Sequence, residues 1–191
     1  MKTFLKVIQL HKNESQLIQK AIRQSRDAQN VLFDLYAPKM LSVCRCYIKD
    51  LQHAEDVMLN GFFKVFANLK SYTGAGSFEG WIRKIMVREA ISFLRQLKHV
   101  EFTTDEVAFE HEVCNTIKSE IEMAEIQQLI DDLPEGYKMV FVMFAIEGYK
   151  HHEISDILNI SEGTSKSQLF KARKMLQRKI EELNKLNYGI K

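Results

Sequence analysis

Apolar residues recur at steps of three and four positions between residues 51 and 69, which is the period of an amphipathic helix. Asp50 stands where a helix N-cap is expected, and Glu55 follows early in the helix, where the helix dipole favours an anion. The opposite face carries two large apolar residues, Leu59 and Phe63, one turn apart. These two residues form either a second packing face or a docking patch for another protein.

The same helical period extends over most of the chain. It runs through residues 14–24, through 30–48 with an expected break or kink at Pro38, and through 78–98. Residues 71–77 contain two glycines and are predicted to form a loop. The whole chain has only two prolines and eight glycines, too few for a loop-rich β-protein. We therefore predict an all-α fold.

Charge divides the chain into three blocks. Residues 61–99 carry seven bases and two acids, residues 101–135 carry eleven acids and one base, and residues 163–179 carry six bases and no acid. Helical periodicity also fades from residue 99 onward. We predict two small helical domains, 1–98 and 122–191, joined by an acidic linker at 99–121. The two basic blocks indicate surfaces that meet a polyanion.

The segment from residue 149 to 180 predicts a helix-turn-helix in the C-terminal domain. A short helix at 151–158 and a turn at 159–161 are followed by a longer helix, for which Ser161 is a suitable N-cap. At 100° per residue, the apolar side of this longer helix is centred on Leu169. The opposite side is small and polar near the start of the helix and cationic further along, which suits contacts to bases and phosphates: Thr164, Ser167, Lys171, Lys174 and Arg178. The alternative interpretation of this side is an ordinary solvated cationic face.

Several other classes of protein have little support in the sequence. Three cysteines, no secretory signal pattern and no apolar run of about 20 residues indicate a soluble cytoplasmic protein with reduced thiols and no membrane insertion. Cys44 and Cys46 point about 200° apart on a helix and cannot chelate one metal. The adjacent pair His151 and His152 is interpreted as a polar surface. We expect no metal, no cofactor and no catalytic site, so an all-helical enzyme is disfavoured.

The motifs resemble those of bacterial RNA polymerase sigma factors of the extracytoplasmic-function type. Residues 54–56 through 66 and residues 78–95 resemble the second region of that family. Four further stretches resemble the fourth region of the family, namely residues 133–137, 147–149, 153–155 and 160–173. The resemblance implies a promoter-selectivity subunit whose partners are core RNA polymerase, promoter DNA as duplex and melted non-template strand, and an anti-sigma factor. It also implies that the acidic linker threads toward the RNA exit path.

The resemblance further implies which residues make these contacts. Those expected to bind polymerase are Glu55, Asp56, Leu59, Asn60 and Phe63. Those expected to bind the near promoter element are Tyr72, Ser77, Arg83, Lys84, Arg88, Ser92 and Arg95. Those expected to bind the far element are Glu162, Gly163, Thr164, Lys166, Ser167, Gln168, Lys171, Arg173 and Lys174.

The chain departs from the family's usual residues at four of these positions, namely Leu59, Arg88, Ser92 and Gln168. These departures leave the class unchanged but leave the promoter sequence open. One hypothesis is that Gln168 reads adenine, because glutamine makes a bidentate pair with that base. The alternative function is a stand-alone helix-turn-helix transcriptional regulator, which would bind its DNA site without polymerase.

Overall fold

The computed structural model describes residues 14–97 and 123–188. All regular secondary structure in these two ranges is helical, which confirms the all-α prediction. The contacts between Cα atoms divide the chain into two compact units, one ending at Leu94 and the other beginning at Arg95. The linker predicted at 99–121 lies outside the described residues.

The first unit contains four helices, and the last turn of the fourth extends past Leu94. Residues 14–22 are the described part of α1, and the others are α2 (Arg26–Tyr47), α3 (Leu51–Ala67) and α4 (Phe78–Leu97). A 3-10 turn, Leu69–Ser71, follows α3. Local chemistry sets two of the helix starts, because the side chains of Ser25 and Asp50 accept hydrogen bonds from backbone N–H groups of α2 and α3. The N-cap predicted at Asp50 is thereby confirmed.

The core of the first unit lies where the helical period predicted it. Met40 of α2, Val65 of α3 and Ile82 of α4 are each fully buried. The Met86 side chain of α4 lies against α3 at Gly61, where an added Cβ would lie 2.3 Å from Met86 Sδ. A larger residue at position 61 would therefore force the flexible Met86 side chain to shift.

Of the break or kink expected at Pro38, the break is not observed, because α2 continues through that residue. Proline removes one backbone hydrogen bond, but the residues on both sides of it, Leu32 and Met40, are buried in the same core. Packing of both halves outweighs the lost bond. Pro38 itself is exposed, and its carbonyl accepts a hydrogen bond from the Ser42 hydroxyl at 3.1 Å.

The second unit contains α5 (Met123–Asp131), α6 (Glu135–Phe141), α7 (His151–Leu158) and α8 (Glu162–Tyr188). A π-helical turn, Val142–Ile146, continues α6, and Gly148 follows with a φ of +75°. Leu129 and Leu133 pack against Ala172 and Leu176 of α8 in one apolar cluster. None of the helices in the described ranges is long and apolar enough to cross a membrane.

Candidate nucleic-acid and protein interfaces

The outward face of α3 is apolar at two positions, which is unusual for a helix of this kind. Leu59 and Phe63 are 43% and 74% exposed, whereas Met58 and Phe62 beside them are buried. Phe63 is therefore mostly open to solvent, and Leu59 is partly so. The other residues predicted on this surface, Glu55, Asp56 and Asn60, are also exposed. We call these five residues the α3 surface.

The loop that precedes α4 is held by its own polar groups and by aromatic packing. The Tyr72 hydroxyl donates to the Gly76 carbonyl at 2.9 Å, and Ser77 Oγ accepts from the backbone N–H of Gly80 at 3.1 Å. The Tyr72 ring lies 5.5 Å from the Trp81 ring, and the Phe78 ring stacks on Trp81 at 5.8 Å. Two residues predicted to touch DNA, Tyr72 and Ser77, thus also shape the loop.

The exposed side of α4 is positively charged. Its two acids are both paired with lysines from other helices: Glu79 with Lys39 at 2.7 Å and Glu89 with Lys64 at 2.6 Å. These pairs leave the cations of α4 as its dominant charge toward solvent. Of the predicted DNA contacts on this helix, Lys84, Arg88, Ser92 and Arg95 are exposed, and Arg83 is half-buried.

Local chemistry also sets the helix-turn-helix predicted in the second unit. Asn159 ends α7 in the left-handed region, with φ 57° and ψ 50°, a conformation that asparagine tolerates. Ser161 Oγ accepts a hydrogen bond from the backbone N–H of Thr164 at 2.9 Å. The predicted N-cap of α8 is thereby confirmed, and the basic helix begins directly after a tight turn.

The predicted DNA-facing residues of α8 fall into two groups. Most of them are exposed or half-buried, namely Glu162, Gly163, Thr164, Lys166, Lys171, Arg173 and Lys174. Ser167 and Gln168 are only 5% and 2% exposed, so the accessible position assumed for them is wrong. The Ser167 hydroxyl turns back to the Thr164 carbonyl at 3.0 Å. Gln168 lies on the flank of the packed stripe, so the hypothesis that it reads adenine loses its geometric basis.

A contact network in the same unit was missed by the sequence interpretation. His152 is exposed as expected, but His151 is half-buried, so its assignment to a polar surface is wrong. Its Nδ1 lies 2.9 Å from Ser165 Oγ, and its ring stacks on that of Phe144 at 4.6 Å. The Arg173 guanidinium belongs to the same network, because it lies over the Phe144 ring, 5.6 Å from the ring centroid. No spacing rule in the sequence distinguishes His151 from its neighbour.

Two family models match the chain, one in each unit. The model described as Sigma-70 region 2 matches residues 32–100, and the model described as Sigma-70, region 4 matches residues 123–176. Among curated relatives, the ECF RNA polymerase sigma factor SigW of Bacillus subtilis is 27% identical over 184 residues, which cover 87% of this chain and 98% of the relative. The ECF RNA polymerase sigma-E factor of Escherichia coli is 25% identical over 180 residues, which cover 87% of this chain and 94% of the relative.

Solved structures with the same fold are also found. The sigma factor RpoE from Bartonella quintana, in complex with the anti-sigma factor NepR, gives a TM-score of 0.54 at 18% identity over 80% of this chain and 96% of that one. CnrH in complex with the cytosolic domain of CnrY gives a TM-score of 0.50 at 16% identity over 87% of this chain and 96% of that one. At this identity the two likenesses establish the fold alone.

Proposed function

Because this chain belongs to the sigma-70 family of RNA polymerase sigma factors, in its extracytoplasmic-function type, we propose that it directs core RNA polymerase to specific promoters and helps to melt them. One observation carries this function: two family models match the two helical units in order, one at residues 32–100 and one at 123–176. The stand-alone regulator is not favoured, since such a protein has no use for the first of these regions. The chain is assigned no catalytic step, because bond formation belongs to the polymerase.

The α3 surface is the proposed contact with core polymerase. It combines two exposed apolar side chains, Leu59 and Phe63, with three exposed polar ones on the same helix. A patch of this composition, apolar at its centre and polar around it, is typical of a protein interface. Phe63 is the proposed anchor because an aromatic side chain buries a large area at low cost in conformational entropy.

The loop at 72–77 and α4 are proposed to engage the near promoter element as it opens. The cations Lys84, Arg88 and Arg95 would contact the strand backbone, which is a nonspecific electrostatic attraction. The aromatic cluster of Tyr72 and Trp81 would help to hold an unstacked base, since every base offers a face for stacking. Arg83, Ser77 and Ser92 complete the proposed contact set.

Helix α8 is proposed to read the far promoter element in the major groove. Thr164 near the start of the helix has a short polar side chain, which would allow the helix end to approach base edges. Lys166, Arg173 and Lys174 are exposed and would contact phosphates from either side. Glu162, Gly163 and Lys171 lie on the same segment and are retained in the proposal, whereas the buried Ser167 and Gln168 are left out.

An anti-sigma factor is proposed as a further partner. The RpoE structure was solved with the anti-sigma factor NepR, and this relation is extended here to the present chain. If such a factor holds the protein inactive, the promoter that the purified protein activates should be silent in unstressed cells, although those cells contain the protein. Full activity of that promoter in such cells would count against an inhibitor.

Run-off transcription tests the proposed function. Core RNA polymerase is supplied with fragments of the source genome, with and without this protein. Defined start sites that occur only with the protein would support the proposal and would also yield the promoter sequence. If no new transcripts form while the protein alone binds defined DNA sites, the proposal fails and a stand-alone regulator takes its place.

A further inference from the structure

Ser165 is a wholly buried polar residue in the first turn of α8. Its side chain is 0% exposed, and within the described part of the chain its hydroxyl has one hydrogen-bond partner, His151 Nδ1 at 2.9 Å. A buried hydroxyl without a partner is costly, because it has lost its hydrogen bonds to water. The contact therefore ties the first turn of α7, where His151 lies, to the start of the basic helix.

A second contact holds the imidazole ring from the other side. The Phe144 ring stacks on it with centroids 4.6 Å apart and an angle of 24° between the planes. Phe144 belongs to the π-helical turn, so His151 is packed between this turn and α8. A ring that is both stacked and hydrogen-bonded is held in one rotamer. Through this ring, the positions of Phe144 and of α7 influence the position of α8.

Phe144 also contacts α8 directly, through a different residue. The Arg173 guanidinium lies 5.6 Å from the Phe144 ring centroid, within the range of a cation–π interaction. Ser165 and Arg173 are eight positions apart, which is about 12 Å along a helix. The π-helical turn and the first turn of α7 thus hold α8 at two points along the part that carries Lys166 and Arg173.

We propose that His151, Phe144 and Ser165 are positioning residues that fix how α8 is presented to duplex DNA, and so determine the base preference at the far promoter element. This inference rests on the proposed function of α8. None of the three residues needs to touch DNA. They act through Arg173 and the first turn of α8, whose angle to α7 they set.

Two variants separate the two contacts of His151. His151→Phe keeps a stacked ring on Phe144 but leaves the Ser165 hydroxyl without a partner. His151→Asn keeps a polar group near the position of Nδ1 and removes the stacked ring. The double variant His151→Phe with Ser165→Ala removes both polar groups together, which is far less costly than removing one. His152→Gln is the matched control, because His152 is the adjacent histidine and is exposed.

The experiment uses the full chain with core RNA polymerase and a promoter library randomised at the far element. In His151→Phe we expect the preference for the best far element over the average one to fall by about tenfold, which is roughly the discrimination that one lost base contact represents. Adding Ser165→Ala should restore most of that preference. His151→Asn should lie between the two, and His152→Gln should match the wild type.

The size of the preference among far elements separates positioning from simple stability. If His151→Phe lowers the melting temperature but leaves the preference for the best far element over the average one unchanged, the residues only stabilise the unit and the inference is overturned. The same holds if Ser165→Ala fails to restore the preference in the double variant. A wild-type protein that gives no promoter-specific transcripts would instead overturn the proposed function.

Discussion

Lys138 Nζ lies 3.4 Å from Asp131 Oδ1, in an ion pair whose side chains are 6% and 1% exposed. The pair joins the end of α5 to α6, and Gln127 also donates to the same carboxylate oxygen at 3.3 Å. Charges at this depth have lost their water, so each depends on the other. The pair therefore fixes the position of α5 while contributing little net stability compared with apolar residues in its place.

Asp131→Asn should destabilise the second unit, because it removes the carboxylate charge that lies beside the buried Lys138 ammonium. We expect a loss of about 1.5–3 kcal/mol in the free energy of unfolding, measured by chemical denaturation. The matched control is Asp132→Asn. Asp132 pairs with Lys179 at 2.8 Å, but these side chains are 36% and 27% exposed, so the expected loss is below about 1 kcal/mol. Equal losses in the two variants would contradict the prediction.

The α3 surface predicts a variant that separates polymerase binding from folding. Leu59→Asp combined with Phe63→Asp should abolish binding to core polymerase, because charges would replace the apolar centre of the proposed interface. The fold should persist, since both side chains already face solvent. Binding is measured by co-purification with core polymerase, and helix content by circular dichroism.

Leu51→Asp is the control for this surface. Leu51 lies on the same helix and is 55% exposed, but it is two turns away from Leu59. It should bind core polymerase like the wild type. If the double variant loses its helix content, Leu59 and Phe63 contribute to the core, and the interpretation of this face as a docking surface is wrong.

The thiol of Cys44 should be unreactive in the folded protein. Its side chain is fully buried in α2, and burial raises the pKa of the thiol to about 12, with a smaller contribution from nearby Cys46. The thiolate is the reactive form, so almost none is present at pH 8. Iodoacetamide should modify the half-buried Cys46 first, as measured by mass spectrometry of peptides. Equal labelling rates at the two positions in folded protein would contradict this, while in denaturant the rates should converge.

Local signals in the sequence predicted the elements that depend on local chemistry. The helical period indicated α3 and α4, and the N-caps at Asp50 and Ser161 are hydrogen-bonded as expected. Such features depend on residues three or four positions apart. The α3 surface and the DNA-facing side of α8 also rest on this periodicity, and their roles in binding stay predictions.

Tertiary contacts determined what the sequence could not indicate. Polar residues were taken as exposed, but Gln168 lies on the flank of a packed stripe and is buried. His151 and His152 are the same residue type at adjacent positions, and only the first meets α8. Which of two neighbours faces another helix depends on the angle between the helices. A hydropathy pattern does not contain that angle.

His151 also predicts how stability depends on pH. Burial lowers its pKa below the ordinary value, and the positive charges of Lys166 and Arg173 lower it further. Glu162 acts in the opposite direction but is outweighed. Near pH 6 the unfolded chain, with its ordinary histidine pKa of about 6.5, therefore binds a proton at this position more readily than the folded chain does.

The sign of the effect follows from this difference in proton binding. The stability that neutral His151 contributes is fully present above about pH 6.5 and is lost as the pH falls from there through the lower folded-state pKa. Thermal unfolding between pH 7.5 and 5 should therefore show a steeper loss of stability in the wild type than in His151→Asn, which has no ionisable group at this position. His152→Gln should keep the wild-type slope, because the His152 side chain is exposed to solvent in the folded chain. If His151→Asn shows the same slope as the wild type, the proton is taken up elsewhere, and the half-buried imidazole between Phe144 and Ser165 is not the group that responds to pH.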